Sequence, residues 1–319
     1  MMRSILTAIL LMLGTSLASA SEPAFPTRPI RLIVPYAPGG GGDFAARTIS
    51  QELSRQLGQS IVIENRGGAN TIIGTRAVAQ AAPDGYTIGL ANPSLITNPA
   101  LVRSLPYRTP EDFTPIAHFI TYPFVLAVRQ DLPVRSVGDL LTLARQRPGA
   151  LNLGYSGPGS GVHLASELLR IMGGIDLLLV PYSGTGPIAN ALAAGQVDLA
   201  FGGITQFQAL VDAGRVRLLG TTAREPSSTG LPTIASQGLP DYEYLLWWGV
   251  IGPAGMPPAI VQTLNDALRR SVATPEVAQR FAVLDGVLRV STPAEFERFL
   301  ATEMRKWEEV IRTAGIQAQ

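Results

Sequence analysis

The 319-residue sequence contains no cysteine and only two histidines. Without cysteine the chain can form neither a disulfide bond nor a thiolate site, so thiol chemistry is excluded. Charged residues make up 15% of the chain and apolar residues 46%, which is typical of a globular protein and not of a disordered one. The length favours two domains, each large enough to bury its own core.

The first twenty residues have the pattern of an export signal. Arg3 precedes an uncharged run over residues 5–17, and Ala18-Ser-Ala20 follows as a small-residue cleavage site. The run is shorter than the roughly 20 residues that a membrane span needs, and no cysteine follows to carry a lipid, so a membrane anchor is the weaker alternative. We therefore predict a periplasmic protein, cleaved after Ala20 and not embedded in the membrane.

The chain is also poor in net charge. It carries 25 Lys and Arg against 24 Asp and Glu, and removal of a leader containing Arg3 leaves the two signs equal. A nucleic-acid partner requires an excess of positive charge, which is missing here. The expected partner is a small molecule bound by a monomer.

What the sequence does contain is a glycine-rich loop between an apolar run and a helix, over Ile30–Asp43. The run predicts a β-strand, and four glycines, Gly39 to Gly42, lead into the helix that Asp43 begins. The first turn of a helix leaves four N–H groups unpaired and carries the positive end of the helix dipole. The loop therefore predicts a site for a negatively charged ligand.

Strands and helices alternate along the rest of the chain, which predicts α/β architecture with largely parallel sheets. The opening pattern recurs, because Val34-Pro-Tyr36 and Val180-Pro-Tyr182 both lead to a glycine loop and a helix. We expect two doubly wound lobes, joined by two crossover segments, that bind one ligand beyond the carboxyl ends of their strands. The expected division is a signal peptide over residues 1–20, a first lobe over 21–122 and 248–319, and a second lobe over 123–247.

Several short motifs, spread in order over nearly the whole mature chain, together resemble one family. They are PIRLIVPYAPGGGGD at 29–43, VIENRGGA at 62–69, PDGYT at 83–87, GPGS at 157–160 with His163-Leu164, VPY at 180–182, GQVD at 195–198, WG at 248–249 and PAG at 253–255. The sequence resembles the extracytoplasmic solute-binding receptors of the Bug family, the TctC-like component of tripartite tricarboxylate transporters. This resemblance implies a type II periplasmic-binding-protein fold that closes like a clamshell on a small carboxylate. It also implies binding mainly through backbone amides and water, without a cofactor, a metal or catalysis.

Six loops are candidates for contact with the ligand, and they contain one cation, Arg66, in the second loop. Amides and hydroxyls would therefore have to hold the anion. Each serine could instead be a plain helix cap, and an amino-acid ligand, which would need Asp43 or Asp198 for its ammonium group, is disfavoured. The predicted ligand-binding residues are Tyr36, Gly39, Gly40, Gly41, Gly42, Asp43, Ala69, Asn70, Ser94, Ser156, Gly159, Ser160, Ser183, Thr185 and Asp198.

The sequence departs from the family's usual pattern at two places. A hydroxyl residue commonly precedes the first-loop aspartate, but Gly42 stands there, and Gly202-Gly203 occupies positions where polar side chains are frequent. Both departures remove side chains that could contact a ligand.

Other functional classes fit less well. The first loop lacks the third glycine of a dinucleotide-binding fingerprint, because Phe44 stands there, and no P-loop motif is present. Gly154-Tyr-Ser156-Gly-Pro158 lacks the last glycine of a hydrolase nucleophile elbow. His163, three residues after a predicted helix cap, is expected to brace its loop and not to act as a base or metal ligand. An exported hydrolase is thus the weakest alternative, whereas a receptor that presents its ligand to a membrane sensor kinase instead of a transporter shares every sequence feature.

Overall fold

The computed structural model describes residues 25–226 and 229–318, so the predicted leader and cleavage site lie outside the described residues. Within these two ranges no helix has the length and apolar character needed to cross a membrane. The strands are β1 Ile30–Val34, β2 Ile61–Asn65, β3 Thr87–Ala91, β4 Phe113–Pro123, β5 Val125–Arg129, β6 Asn152–Tyr155, β7 Leu178–Pro181, β8 Leu199–Gly202, β9 Val216–Thr221, β10 Leu245–Pro253 and β11 Val287–Leu288.

Most helices lie between consecutive strands, as the alternating pattern predicts. They are α1 Gly41–Leu57, α2 Ile72–Ala79, α3 Pro93–Leu101, α4 Val137–Gln146, α5 Gly161–Gly173, α6 Thr185–Ala193, α7 Ile204–Asp212, α8 Pro258–Val272, α9 Pro275–Ala282 and α10 Pro293–Thr313, with a short 3₁₀ helix at Ala235–Gln237.

Local sequence signals account for the ends of several helices. Gly58, in the left-handed conformation, ends α1, whose buried face carries Ala45, Ile49 and Leu53 as the four-residue spacing predicts. The Thr292 side chain accepts a hydrogen bond from the N–H of Glu295, whose carboxylate in turn accepts from the Thr292 N–H, so α10 begins with a capping box.

The strands form two sheets with the same arrangement. The first sheet has the order β11-β4-β10-β3-β1-β2, and the second has the order β7-β6-β8-β5-β9. In the first sheet β1 lies between β2 and β3, and β10 is inserted between β3 and β4. In the second sheet β6 lies between β7 and β8, and β5 is inserted between β8 and β9. This agrees with the prediction of two similar α/β lobes.

The sheets are largely parallel, as predicted, since four strands of each run in the same direction, but each sheet also contains an inserted antiparallel strand that was not predicted. Strand β10 runs antiparallel between β3 and β4, and β5 runs antiparallel between β8 and β9. Each inserted strand follows directly after the chain has crossed from the other lobe, so it enters its sheet from the opposite end. The period-two and apolar-run signals used for strands carry no information on strand direction.

Several elements were not predicted from the sequence, among them α3, α9, β11 and the short 3₁₀ helix. At the start of α3, Asn92 Oδ1 accepts a hydrogen bond from the Ser94 N–H (2.8 Å) and caps the helix. Because α3 is buried on most of its surface, it shows little of the amphipathic period from which a helix is predicted.

The buried apolar residues form one large cluster that draws on both sheets and one smaller cluster between the second sheet and helices α6 and α7. The large cluster is continuous across the crossover segments, where Tyr242 and Tyr244 precede β10. The Tyr242 hydroxyl donates to the Ala165 carbonyl of α5 (2.8 Å), and the Tyr244 ring packs edge-on against Trp307 of α10 (5.5 Å between centroids). The two lobes are therefore packed against each other in this structure.

Candidate functional site

The glycine loop lies at the carboxyl end of β1 and opens into α1. Gly39, Gly40 and Gly41 are exposed, whereas Gly42 and Asp43 are buried. The Phe44 N–H donates to the Gly40 carbonyl (2.9 Å) as the first intrahelical bond, so the N–H groups of the three preceding residues lie ahead of the helical ladder. These N–H groups are suited to an anion, as the sequence pattern predicts.

The Asp43 carboxylate holds this loop in shape. Its Oδ2 accepts from the Gly39 N–H (2.9 Å) and from Arg47 Nε (2.8 Å), and its Oδ1 accepts from Asn65 Nδ2 (3.0 Å). The hydrogen bond from Arg47, followed by those from Gly39 and Asn65, outweighs the effect of burial and lowers the pKa of Asp43 to about 2. Both oxygens of this predicted ligand-binding residue are thus engaged by the protein itself.

Replacing Asp43 with asparagine is expected to lower the free energy of unfolding by about 1–3 kcal/mol, because an amide cannot accept all three hydrogen bonds at a buried position. Urea unfolding at neutral pH measures the difference. Asp241→Asn, which disrupts an exposed ion pair with Arg224, is the matched control and should change stability by less than about 1 kcal/mol. Equal effects of the two substitutions would show that Asp43 does not brace the loop.

The loop after β2 has an unusual backbone conformation. Ala69, Asn70 and Thr71 have φ values of 46°, 47° and 73°, all in the left-handed region. A residue other than glycine in this region destabilises the fold by about 1–2 kcal/mol, and such backbone strain is found mainly at functional sites. The segment is held by Asn98 of α3, whose Nδ2 donates to the Asn70 carbonyl (3.0 Å) while its Oδ1 accepts from Asn70 Nδ2 (2.8 Å). Asn98 was missed at the sequence level because α3 was missed.

Tyr36 and Ser94 connect the first three loops. Ser94 Oγ donates to Asn70 Oδ1 (3.3 Å), and the Tyr36 hydroxyl forms a side-chain hydrogen bond with Ser94. Burial, with a contribution from nearby Tyr122, raises the pKa of Tyr36 above its usual range, so the phenol stays neutral and can donate.

The Tyr36 ring also explains the first departure from the family pattern. It packs edge-on against Trp248 of β10 (5.4 Å between centroids), and a Cβ at Gly42 would lie 2.5 Å from Tyr36 Cδ2 and 3.2 Å from Trp248 Cη2. The two rings therefore occupy the volume that a side chain at position 42 would need. The second departure is similar, since the Gln206 side chain lies against Gly202 and its Oε1 accepts from the Gly203 N–H (2.9 Å).

In the second lobe the loop after β6 is braced by His163. The Gly159 N–H donates to His163 Nδ1 (3.0 Å), and the His163 N–H donates to Ser160 Oγ (3.2 Å), which caps α5. His163 thus braces the loop, in agreement with the sequence-based expectation. Ser156 is half-buried just after β6, on the same loop.

The loop after β7 presents Ser183 and Thr185 at the start of α6. Ser183 is exposed, whereas Thr185 Oγ1 accepts from Gln206 Nε2, the side chain that also contacts Gly203. Gln206 therefore ties the start of α6 to the start of α7. Its role was not predicted from the sequence, because glycine at the helix start has no side chain and only the glutamine half of a capping box is present.

The structure does not bring Asp198 to these loops. Its Oδ1 accepts from Arg129 Nε (2.8 Å) and its Oδ2 from the N–H of Asn152 (2.7 Å), the first residue of β6, while Asp198 itself directly precedes β8. Because β6 and β8 are parallel, Asp198 lies at their amino ends, whereas the loops of the cleft follow their carboxyl ends. Its carboxylate stabilises the amino ends of these strands, on the side of the second sheet away from the loops. Its position therefore does not support the expectation that it contacts ligand.

Loops of the two lobes approach each other closely at Gly159. A Cβ at this glycine would lie 2.5 Å from Leu101 Cδ1 and 2.8 Å from Asn70 Nδ2, both in the first lobe. The charges nearby are compensated, since Arg47 pairs with Asp43 and Arg66 pairs with Glu64. The result is a cleft whose loops offer helix N–H groups, hydroxyls and amides, while the loop cation Arg66 and the α1 cation Arg47 are already paired.

Such a fold and cleft define a two-lobed solute-binding protein. The chain belongs to the tripartite tricarboxylate transporter receptor family, TctC, whose model matches residues 45–316. This is a family of extracytoplasmic binding receptors and not of enzymes.

Relatives and solved structures agree with this assignment. The chain is 37% identical over 313 residues to a protein of Pseudomonas sp. strain P51 described as the UPF0065 protein in the tcbD-tcbE intergenic region, covering 97% of this chain and 93% of that protein. It is 32% identical to BugT of Bordetella pertussis, covering 97% of this chain and 98% of BugT.

Two of the similar solved structures contain an organic acid. R. palustris Rpa4515 with adipate superimposes with a TM-score of 0.85 at 36% identity, covering 92% of this chain and 100% of that one. MatC (Rpa3494) from Rhodopseudomonas palustris with bound malate gives a TM-score of 0.80 at 32% identity, covering 90% of this chain and 100% of that one.

Proposed function

We propose that this receptor captures a small organic carboxylate between its two lobes and delivers it to the membrane subunits of a transporter. The observation that carries the proposal is the cleft itself, where loops from both lobes present hydrogen-bond donors while Arg47 and Arg66 are neutralised by Asp43 and Glu64. Adipate and malate, bound by two similar proteins, are ligands of the proposed class.

Uncharged hydrogen-bond donors suit a receptor that must release its ligand, because they bind an anion with moderate affinity. Each favourable interaction of an anion with a helix N-terminus contributes about 0.3–1 kcal/mol, and more where the site is partly buried. Several such contacts add up to useful affinity, yet none requires that a buried ion pair be broken on release.

The lobe boundaries form part of the proposal. Strands of the first sheet come from residues 30–123 and 245–288, and those of the second from residues 125–221. This supports the proposed first lobe over residues 21–122 and 248–319 and second lobe over 123–247 to within about three residues, since β4 ends at Pro123 and β10 begins at Leu245.

A thermal-shift screen of the mature protein tests the proposed ligand class. The panel should contain adipate, malate, citrate, aromatic acids, amino acids and neutral sugars. At a concentration of 100 times the dissociation constant, a ligand that binds only the folded state adds about 2.7 kcal/mol to the free energy of unfolding. We expect at least one carboxylate to raise the midpoint, and a panel in which only cationic or neutral solutes do so would contradict the proposal.

Export and delivery need separate measurements. Mass spectrometry of the periplasmic protein should give a chain that begins at Ser21, as expected from cleavage after Ala20. Loss of carboxylate uptake on deletion of the gene, with restoration by the intact gene, would support delivery to a transporter. Unchanged uptake together with a lost transcriptional response would instead support presentation to a sensor kinase.

A further inference from the structure

The hydroxyl of Tyr244 is buried without a hydrogen-bond partner. Tyr244 has no exposed surface, and its Oη is one of the few buried side-chain polar atoms of the described residues that lack a partner. The ring is held between Phe124 and Trp307, at centroid distances of 5.2 and 5.5 Å. A buried hydroxyl without a hydrogen-bond partner destabilises the folded protein, and buried polar groups of native structures are usually paired. The unpaired hydroxyl of Tyr244 therefore suggests that its partner is a bound molecule.

Tyr242, two residues earlier, shows what an ordinary buried tyrosine does on this segment. It is equally buried, and its hydroxyl donates to the Ala165 carbonyl of α5 (2.8 Å). Tyr244 meets the same helix one turn earlier, at Gly161, where a Cβ would clash with the Tyr244 hydroxyl oxygen. At that end the helix offers N–H groups and no free carbonyl.

The start of α5 therefore brings donors together without an acceptor. The His163 N–H is taken by Ser160 Oγ and the Leu164 N–H by the Ser160 carbonyl. Among the residues that the structure describes, the N–H groups of Gly161 and Val162 have no acceptor. Burial raises the pKa of Tyr244 well above its usual value, so its hydroxyl remains protonated and is a donor as well.

We propose that Tyr244 Oη and the first N–H groups of α5 together bind one carboxylate oxygen of the ligand. An anionic oxygen is the acceptor that this arrangement lacks, and α5, with thirteen residues, is long enough to contribute its dipole. This inference rests on the proposed function, and it adds to it a binding residue from the crossover segment that joins the lobes.

The groups around Tyr244 are compatible with an anion. Tyr36 and Tyr122 lie near enough to affect its titration, and both are neutral phenols. Glu303 also faces Tyr244, but its Oε2 accepts from the Trp307 indole N–H (2.8 Å) and its Oε1 lies 3.8 Å from Lys306 Nζ, so its charge is partly compensated.

Tyr244→Phe, with Tyr242→Phe as its matched control, tests the inference. Calorimetric titration with adipate and malate gives the affinity of each variant, and urea unfolding without ligand gives its stability. We expect Tyr244→Phe to bind the acid about 10- to 100-fold more weakly, the effect of removing one hydrogen bond to a charged group, without loss of stability in the free protein. Tyr242→Phe should lose stability and keep its affinity.

The outcomes separate this inference from the proposed function. If the unmodified protein binds neither acid nor any other carboxylate of the panel, the proposed function fails and the inference fails with it. If the unmodified protein binds and Tyr244→Phe binds equally well, only the inference is overturned.

Gly161→Ala gives a second measurement at the same point. Alanine is acceptable in the first turn of a helix, but its Cβ would displace the Tyr244 hydroxyl. We expect weaker binding in the single variant and little further loss when Gly161→Ala is added to Tyr244→Phe. Additive losses in the double variant would argue against a shared site.

Discussion

Replacing Gly159 with alanine is expected to weaken carboxylate binding by about 10- to 100-fold while the protein remains folded. The new Cβ would come within 2.5–2.8 Å of Leu101 and Asn70, so the two lobes could not approach as closely as they do here. Overpacking at such a contact typically costs about 1–3 kcal/mol. A ligand held by both lobes loses this free energy from its binding, because binding requires closure.

The control for this prediction is Gly157→Ala. Gly157 and Gly159 have φ values of +95° and +73°, so alanine is strained at both, but a Cβ at Gly157 would have no atom within 4 Å. Titration calorimetry should show weakened binding for Gly159→Ala alone, and small-angle X-ray scattering should show that this variant fails to become more compact with ligand. Equal affinities of the two variants would refute a role for the Gly159 contact in closure.

Acidification is expected to destabilise the protein through His118, by about 3 kcal/mol between about pH 7 and pH 4. The imidazole is largely buried, stacks on Phe299 (5.0 Å between centroids), and its Nε2 lies 2.7 Å from Thr121 Oγ1. Burial, with a smaller contribution from the charge of Arg289, lowers the pKa of His118 to about 4. The unfolded chain, in which the pKa is about 6.5, therefore binds the proton first, and stability falls as the pH drops through this window.

His118→Gln removes this titration and should flatten the stability profile between about pH 6.5 and pH 4. Urea unfolding of both proteins at several pH values gives the two slopes, and their difference is the quantity to compare, since the substitution also changes stability at neutral pH. Asp43, with a pKa of about 2, loses its contribution only at lower pH and does not interfere. Parallel profiles would show that His118 is not kept neutral by the fold.

Asn70 connects three features of the cleft that are otherwise separate. It has a left-handed backbone, it bonds to Ser94 and Asn98, and it contacts Gly159 of the second lobe. The conformation of Asn70 is fixed by hydrogen bonds to Asn98 of α3, and its side chain contacts the second lobe at Gly159. Backbone strain therefore lies where a loop of the first lobe meets a loop of the second, which is where we propose that ligand binds.

Much of the fold could be predicted because its signals are local. The strand over residues 30–34, the face of α1 with Ala45, Ile49 and Leu53, and the loop-bracing role of His163 follow from spacing and from capping chemistry within a few residues. Repetition of Val-Pro-Tyr before a glycine loop was sufficient to predict two lobes. The order of the motifs was sufficient to indicate the family.

The sequence by itself determined the presence of two lobes and of glycine loops that lead into helices, since these features depend on neighbouring residues. Only the tertiary structure decided which side chains are available to a ligand. Asp43 proved to be engaged by Gly39, Arg47 and Asn65, and Asp198 lies at the far end of its strand. Tyr244 reaches the start of α5 although more than eighty residues separate them in the chain. Such pairings depend on how distant segments pack, which no local pattern of residues encodes.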